Sequence, residues 1–165
     1  TWKGRVGYTP LRDLDLAIPE ALGVVGIVCP DEAPLLGFVS TVAPALAAGN
    51  AVVAVPSRVD PVVASGLLDL LNTADLPGGV VNLVTGLHRE VVPTLAAHRD
   101  VEGIWYFGPP DGAGEVERLS ADTLKRTWCS RPGIRRDWFD PAQGEGEAFL
   151  REATRVRRIR IPFGE

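Results

Sequence analysis

Five short apolar segments alternate with helix signals along the first 130 residues, and this alternation limits the possible folds most strongly. The apolar segments are residues 22–29, 51–55, 80–84, 103–107 and 124–128. Continuously apolar strands are typical of a parallel sheet that is covered on both faces. Strands that are separated by helices favour right-handed crossovers. The sequence therefore predicts an α/β fold with a doubly wound, Rossmann-like sheet of five parallel strands.

The segments between these strands carry helix start and stop signals. Asp31 is placed to cap a helix that ends at Gly49, and Asp60 with Pro61 is typical of the start of the next helix. We expect helices over residues 35–48, 62–73, 89–97, 112–120 and 145–153.

Strand-like segments also lie at the two ends of the chain. Residues 2–8 and 14–18 alternate apolar and polar side chains around Thr9-Pro10, which predicts a hairpin. Residues 154–162 carry four arginines, which suits an exposed edge strand. A nucleic-acid patch is the alternative, but the acidic balance of the whole chain favours a solvated strand. We divide the chain into a hairpin (1–20), an α/β domain (21–130), a connector (131–153) and a closing strand (154–165).

Composition excludes several classes of function. The net charge of −4 over 165 residues gives no electrostatic reason to expect nucleic acid or an anionic membrane as partner. The apolar stretches are too short or too interrupted to span a bilayer. Two cysteines cannot form a disulfide framework, so we expect a reduced, cytoplasmic setting. Because the chain contains no methionine, we expect a segment of a longer polypeptide, with a processed mature chain as the alternative.

Four blocks of sequence resemble the aldehyde dehydrogenase superfamily in order and spacing. They are GVVGI (23–27), the run 42–57, LPGGVVNLVTG (76–86) and IWYFG (104–108). The resemblance implies the cofactor domain of that family, with the hairpin and the closing strand forming its oligomerisation flap. Residues 131–153 stand where a family member carries its whole catalytic domain. The chain is most similar to the truncated, degenerate carboxy-terminal domain of the two-domain family-16 aldehyde dehydrogenases.

The resemblance also implies a degenerate cofactor site. Val55 stands where the family has a lysine that binds the adenine ribose, and Pro109 replaces the serine that contacts the pyrophosphate. A valine side chain donates no hydrogen bond, and proline has no backbone N–H. The remaining family positions of this site are Ser57, Arg58, Gly86 and Gly108. We expect the serine and the glycines to serve as turn residues. This segment is therefore expected to hold no cofactor, whereas the parent enzyme would use NAD.

Catalytic residues of the family are replaced as well. Glu32 stands at the position of the oxyanion asparagine, where a carboxylate repels the developing negative charge. Ser130 or Cys129 stands at the position of the general-base glutamate, and the nucleophilic cysteine belongs to the catalytic domain. We expect no catalytic residue in this segment. A metal site is not expected either, because His88 and His98 lack ligand spacing.

Three functions are compatible with these patterns. In the first, the chain is a non-catalytic domain of a longer NAD-dependent aldehyde dehydrogenase. Its flap would pair with a catalytic domain of the same chain or of a second subunit in an oligomer. In the second, the domain still binds a dinucleotide and contributes to the oxidation of an aldehyde to a carboxylic acid. The third is an unrelated hydrolase built on Cys129, Ser130 and a histidine. We favour the first because the replaced residues form a consistent series.

Overall fold

A computed structural model describes residues 5–8, 13–130, 133 and 135–162. The strands are β1 (Arg5–Tyr8), β2 (Asp13–Ala21), β3 (Val24–Val28), β4 (Ala51–Val55), β5 (Val81–Leu83), β6 (Gly103–Tyr106), β7 (Arg126–Cys129) and β8 (Thr154–Pro162). The helices are α1 (Pro34–Ala47), α2 (Val62–Thr73), α3 (His88–Ala97), α4 (Ala113–Ala121), α5 (Pro141–Gly144) and α6 (Glu147–Glu152). A short 3-10 turn, Pro110–Gly112, precedes α4.

Five of the strands form an all-parallel sheet in the order β5-β4-β3-β6-β7. The chain therefore builds one half of the sheet from β3 outward and then returns to build the other half from β6. Helices α1 and α2 pack on one face through Phe38, Val42 and Ala64, and α3 and α4 pack on the other through Leu95 and Val116. This arrangement confirms the predicted doubly wound fold.

Three local predictions are wrong. Asp60 does not occupy the cap position of α2, which Pro61 takes, although its Oδ1 accepts a hydrogen bond from the Val63 N–H at 3.4 Å. Asp31 does not cap α1, because it lies three residues before Pro34, beyond the cap position, which Ala33 occupies. Leu124 does not begin the fifth parallel strand. It adopts a φ of 52° and is 93% exposed in the turn that joins α4 to β7. Reversal of the chain there requires a left-handed residue, and the sequence offers no glycine to signal it.

The other three strands form a separate antiparallel sheet, which we call the flap. Its order is β1-β2-β8, and β2 pairs with β8 from Asp13 opposite Pro162 to Ala21 opposite Thr154. The predicted edge position of the closing strand agrees with this order. Residues 1–4 and 9–12 of the predicted hairpin lie outside the described residues.

The connector folds back onto the parallel sheet and contributes to its core. It contains α5 in addition to the expected helix, and Asp140 caps α5 by accepting a hydrogen bond from the Ala142 N–H at 3.0 Å. Trp138 and Phe149 are buried. Their ring centroids lie 5.1 Å from Phe107 and 5.0 Å from Trp128, respectively. Trp138 is therefore a core residue.

Side chains of the parallel domain fix the point at which β8 begins. Gly49, with a φ of 89°, turns the chain so that the buried Asn50 faces the connector. The Asn50 Nδ2 donates to Ala153 O at 2.9 Å, and its Oδ1 accepts from the Gly23 N–H at 3.0 Å. Arg126 adds a hydrogen bond to Thr154 O at 2.7 Å. The flap is thus anchored to the parallel domain by specific polar contacts.

Candidate functional site

The loops that follow the parallel strands gather at one edge of the sheet. The order of the strands reverses between β3 and β6, and open α/β sheets bind ligands outside the carboxyl ends of their strands at such a point. A cleft of about 390 Å³ lies at this edge. Its lining includes Arg58, His88, Arg89, Tyr106, Pro109, Asp111 and Glu115.

Of the sequence-predicted site residues, the structure brings Arg58 and Pro109 together in this cleft. Gly108 lines a neighbouring cleft of about 250 Å³. Val55 is fully buried in the hydrophobic core with Val28 and Ile104, so its side chain does not reach the cleft. Gly86 lies in the loop between β5 and α3 and lines neither cleft.

Arg58 is held by Asp31 from the neighbouring strand end. Its Nε donates to Asp31 Oδ2 at 2.8 Å, its Nη2 donates to the same oxygen, and its backbone N–H donates to Oδ1 at 2.8 Å. The buried Ser57 hydroxyl also donates to Asp31 Oδ1, at 3.1 Å. Asp31 therefore neutralises the charge of Arg58 and accepts the hydrogen bond of the Ser57 hydroxyl.

The hydrogen bonds decide the ionisation of this pair. Burial alone would raise the pKa of the Asp31 carboxyl, but the hydrogen bonds and the positive charge of Arg58 outweigh it, and the pKa lies below the usual range. The same hydrogen bond raises the pKa of Arg58. Both groups are ionised near neutral pH, so Arg58 offers an anionic ligand little uncompensated charge.

The loop after β6 lacks the donors of a phosphate site. Pro109 and Pro110 have no backbone N–H, and the N–H of Gly112 donates to Pro109 O at 3.0 Å. Asp111 adds a carboxylate to the first turn at this end of α4. A helix amino terminus favours an anion because its free N–H groups point at the ligand. Here two of those groups are missing and a negative charge is added.

Tyr106 fills the space above this loop. Its hydroxyl donates to Pro109 O at 2.8 Å, and a Cβ added at Gly108 or Gly112 would approach the tyrosine side chain to 2.9 or 2.2 Å. Burial, reinforced by the negative charge of Asp111, raises the pKa of Tyr106 to about 12. The residues at this edge therefore do not fit the pyrophosphate of a dinucleotide.

Glu32 and Ser130, which the resemblance places at catalytic positions, both line the cleft of about 250 Å³ with Arg58, and both make hydrogen bonds within the protein. Glu32 Oε1 accepts a hydrogen bond from Trp138 Nε1 at 3.3 Å. The Ser130 N–H donates to Tyr106 O at 2.8 Å. His88 Nε2 lies 2.9 Å from Pro56 O, and His88 lines the cleft of about 390 Å³, whereas Cys129 and Ser130 line a separate cleft of about 600 Å³. None of these three contacts joins the side chain of Cys129 or Ser130 to a histidine.

An arginine of the connector lies among aromatic rings beside this edge. The Arg136 Cζ is 4.9 Å from the ring centroid of Trp128 and 5.2 to 5.6 Å from the centroids of Phe107, Trp138 and Phe149. Such cation–π contacts stabilise the guanidinium of this half-buried arginine. Arg135 and Arg136 of the connector thus line a cleft of about 600 Å³ beside β7, together with Phe107 and Trp128.

Sequence reasoning named Arg58 as a position of the cofactor site and Asp31 as a helix cap, but it predicted neither their ion pair nor a role for Asp111. Asp31 and Arg58 follow neighbouring strands with opposite charges, and Asp111 precedes a predicted helix, so a signal existed for each of them. No sequence pattern indicates that Arg136 lies among four rings. In the described ranges, no group of three or more His, Cys, Asp or Glu residues could hold a metal ion. No helix within those ranges is long and apolar enough to cross a membrane.

Comparison with known proteins gives a consistent result. The model of the aldehyde dehydrogenase family matches residues 5–133. The NADP/NAD-dependent aldehyde dehydrogenase PuuC of Escherichia coli is 34% identical over 131 residues, which cover 79% of this chain and 26% of that protein. The hydroxyisobutyraldehyde dehydrogenase of Mycolicibacterium austroafricanum is 37% identical over 121 residues, with coverages of 73% and 24%. The chain thus spans about a quarter of the length of these curated relatives.

Solved structures extend the likeness to the fold. The AldA indole-3-acetaldehyde dehydrogenase of P. syringae, solved with NAD+, superposes with a TM-score of 0.75 at 32% identity, covering 80% of this chain and 27% of that one. The lactaldehyde dehydrogenase of Escherichia coli gives a TM-score of 0.76 at 26% identity, with coverages of 80% and 28%. Because the family match covers residues 5–133, which include all five parallel strands, the chain belongs to the aldehyde dehydrogenase family.

Proposed function

We propose that this chain is a non-catalytic domain of a longer NAD-dependent aldehyde dehydrogenase, an oxidoreductase, and that it acts in assembly through the flap. The apolar face of the flap carries the proposal. Val6, Ile18 and Ile161 are 61%, 41% and 44% exposed, although each is a large apolar side chain. Clustered exposed apolar residues mark interaction surfaces. The partner we propose is a catalytic domain, either in the same polypeptide or in a second subunit of an oligomer.

The register of the flap puts these residues on one face. Val6 lies opposite Leu16, Leu16 lies opposite Ile159, and Leu14 lies opposite Ile161. Side chains of directly paired residues share a face. An apolar cluster of this kind is stable against another protein surface and costs free energy when it meets water. The same face becomes charged beyond Ile18, which lies opposite Arg157.

The missing hydrogen-bond donors of the loop after β6 support a non-catalytic role. NAD belongs to the proposed parent polypeptide, since PuuC is named as NADP/NAD-dependent and AldA was solved with NAD+. In this chain the Tyr106 side chain fills the space above the loop, and the Asp111 carboxylate repels the negative charge of a pyrophosphate. The buried Val55 side chain donates no hydrogen bond to a ribose. A cytoplasmic location is part of the same proposal and rests on the two-cysteine content.

The test uses the natural polypeptide that carries these residues and measures its mass in solution by multi-angle light scattering. Ile18→Ser removes an apolar contact from the flap face, and Ile159→Pro removes a backbone donor from β8. Both variants are expected to lower the mass to that of a smaller assembly. Val156→Ser is the matched control, because Val156 is 56% exposed and pairs with Pro19 on the opposite face of the flap.

Two results would count against the assembly role. One is an unchanged mass for both flap variants under conditions in which the parent associates. The other is a natural polypeptide that contains these residues but no catalytic domain and that stays a monomer in the presence of a complete aldehyde dehydrogenase from the same source.

A second candidate function is retained dinucleotide binding that contributes to the oxidation of an aldehyde to a carboxylic acid. The cleft of about 390 Å³ favours it, because Arg58, His88 and Arg89 line that cleft at the carboxyl edge of the sheet. Titration calorimetry with NAD separates the two functions. A micromolar dissociation constant would favour the second function over the first.

A further inference from the structure

The outer edge of β8 presents a row of unpaired backbone groups. On one side, β8 pairs with β2 along its whole length, from Thr154 to Pro162. On the other side, no strand in the described ranges pairs with it. Alternate residues of an antiparallel strand direct their N–H and C=O groups away from the partner. An edge of this kind is a template for an added strand.

Four arginines make this edge basic on both faces of the flap. Arg155 and Arg157 share a face with Ile159, whereas Arg158 and Arg160 lie on the opposite face with Val156. All four side chains are exposed. An added strand would therefore meet positive charge along its whole length, whichever of its faces carries charged side chains.

The carboxylates of the flap compensate only part of this charge. Glu20 serves two arginines, with Arg157 at 3.1 Å and Arg155 at 3.7 Å. Asp13 pairs with Arg160 at 2.7 Å. Arg158 has no carboxylate within 4 Å in the described part of the chain.

The flap therefore differs in charge from the chain that carries it. Its three strands contain five arginines against three carboxylates, whereas the whole chain has a net charge of −4. The two pairs with Glu20 are solvent-exposed and contribute little free energy, so they leave Arg155 and Arg157 open to a further carboxylate, whereas Arg160 pairs with the buried Asp13.

We propose that the outer edge of β8 binds an extended acidic protein segment, which adds to the flap as a fourth strand. The inference rests on the proposed assembly function and specifies the chemistry of the partner strand. β2, the strand that already pairs with β8, has Asp13, Asp15 and Glu20 among its nine residues. An acidic strand is thus the chemistry that β8 accepts on its inner edge. Like charges directly across a ladder are destabilising, which disfavours a second copy of β8 as the occupant.

The test measures the binding of labelled peptides to the 165-residue chain by fluorescence anisotropy at low salt. The probe is a blocked nonapeptide of alternating glutamate and valine, N-methylated along one edge so that it pairs through the other edge only. We expect it to bind at least about tenfold more tightly than the corresponding lysine peptide, because its charges complement the arginines. A glutamate peptide that is N-methylated at every residue keeps the charge but loses the ladder, and it is expected not to bind.

Variants locate the binding to the edge. Arg158→Glu replaces an attraction by a repulsion and is expected to weaken the binding of the glutamate peptide by at least about fivefold. Arg158→Gln, which removes the charge only, is expected to have a smaller effect. Arg118→Glu is the matched control, because Arg118 is an exposed arginine on α4, outside the flap. It is expected to leave binding unchanged apart from the small effect of net charge.

Three outcomes would overturn the inference. The first is equal binding of the glutamate and lysine peptides. The second is equal binding of the fully N-methylated glutamate peptide or of a single-stranded DNA of similar charge, since either would make the edge a general anion surface. The third is no binding of the glutamate peptide at all. None of these results affects the light-scattering test of the flap face, so the assembly role can stand when the acidic strand fails.

Discussion

Replacing Phe149 with alanine tests whether the connector belongs to the cooperative core of the domain. Phe149 lies on α6, is fully buried and contacts Trp105, Trp128 and Trp138 at centroid distances of 6.1, 5.0 and 6.4 Å. Truncation of a buried phenylalanine costs about 3–5 kcal/mol, because the transfer free energy is lost and a cavity remains. The edge-on ring contacts favour the upper part of that range.

Urea unfolding, followed by tryptophan fluorescence and circular dichroism, measures this cost. With a slope of about 2 kcal/mol per molar urea, a loss of about 4 kcal/mol lowers the unfolding midpoint by about 2 M. Phe139→Ala is the matched control. Phe139 lies on the same connector but is 77% exposed, so its replacement is expected to change stability by less than about 0.5 kcal/mol. A loss below about 1 kcal/mol for Phe149→Ala would refute the view that the connector completes the core.

Three further predictions concern the polar and titratable groups. Asn50→Ala is expected to cost about 2–3 kcal/mol in the same urea assay, since a buried amide with three hydrogen bonds is removed, whereas Asn82→Ala, which breaks one exposed bond, costs less than about 1 kcal/mol. Equal losses would contradict the anchoring role. Because the pKa of Asp31 is lowered in the folded state, its stabilisation is present above the unfolded pKa of about 3.9 and is lost as the pH falls through the lower folded value. Thermal unfolding of Asp31→Asn between pH 7 and 2 should therefore show a shallower acid limb than the parent, and identical limbs would contradict the ion pair. Burial, opposed in part by a side-chain hydrogen bond, raises the pKa of Cys29 to about 12, so mass spectrometry after alkylation at pH 8 should find Cys129 modified well before Cys29, and the reverse order would contradict the burial.

The parallel sheet could be predicted from sequence because its signals are local. Each apolar strand is bounded by a turn residue, and Gly49 marks the end of α1 through its positive φ. The observed strand boundaries differ from the predicted ones where no glycine or proline marks the turn, as at Leu124. Asp31 does not cap α1, and its carboxylate instead pairs with Arg58 on another loop. Such a long-range ion pair leaves no periodic signal in the sequence.

The candidate site was predictable only in part, for the same reason. Val55 and Pro109 are informative alone, because one lacks a donor and the other lacks a backbone N–H. The contribution of Tyr106 depends on where its ring lies, which is above Gly108 and Gly112. The connector shows this limit most clearly, since its contact with Trp128 follows from the packing of distant segments.

Titration calorimetry of the 165-residue chain with NAD and with NADP measures whether this domain has lost cofactor binding. We expect no heat of binding up to millimolar cofactor, because the loop after β6 lacks two N–H donors and carries the Asp111 carboxylate. Saturable binding with a micromolar dissociation constant would contradict the loss of cofactor binding and would show that the domain binds a dinucleotide.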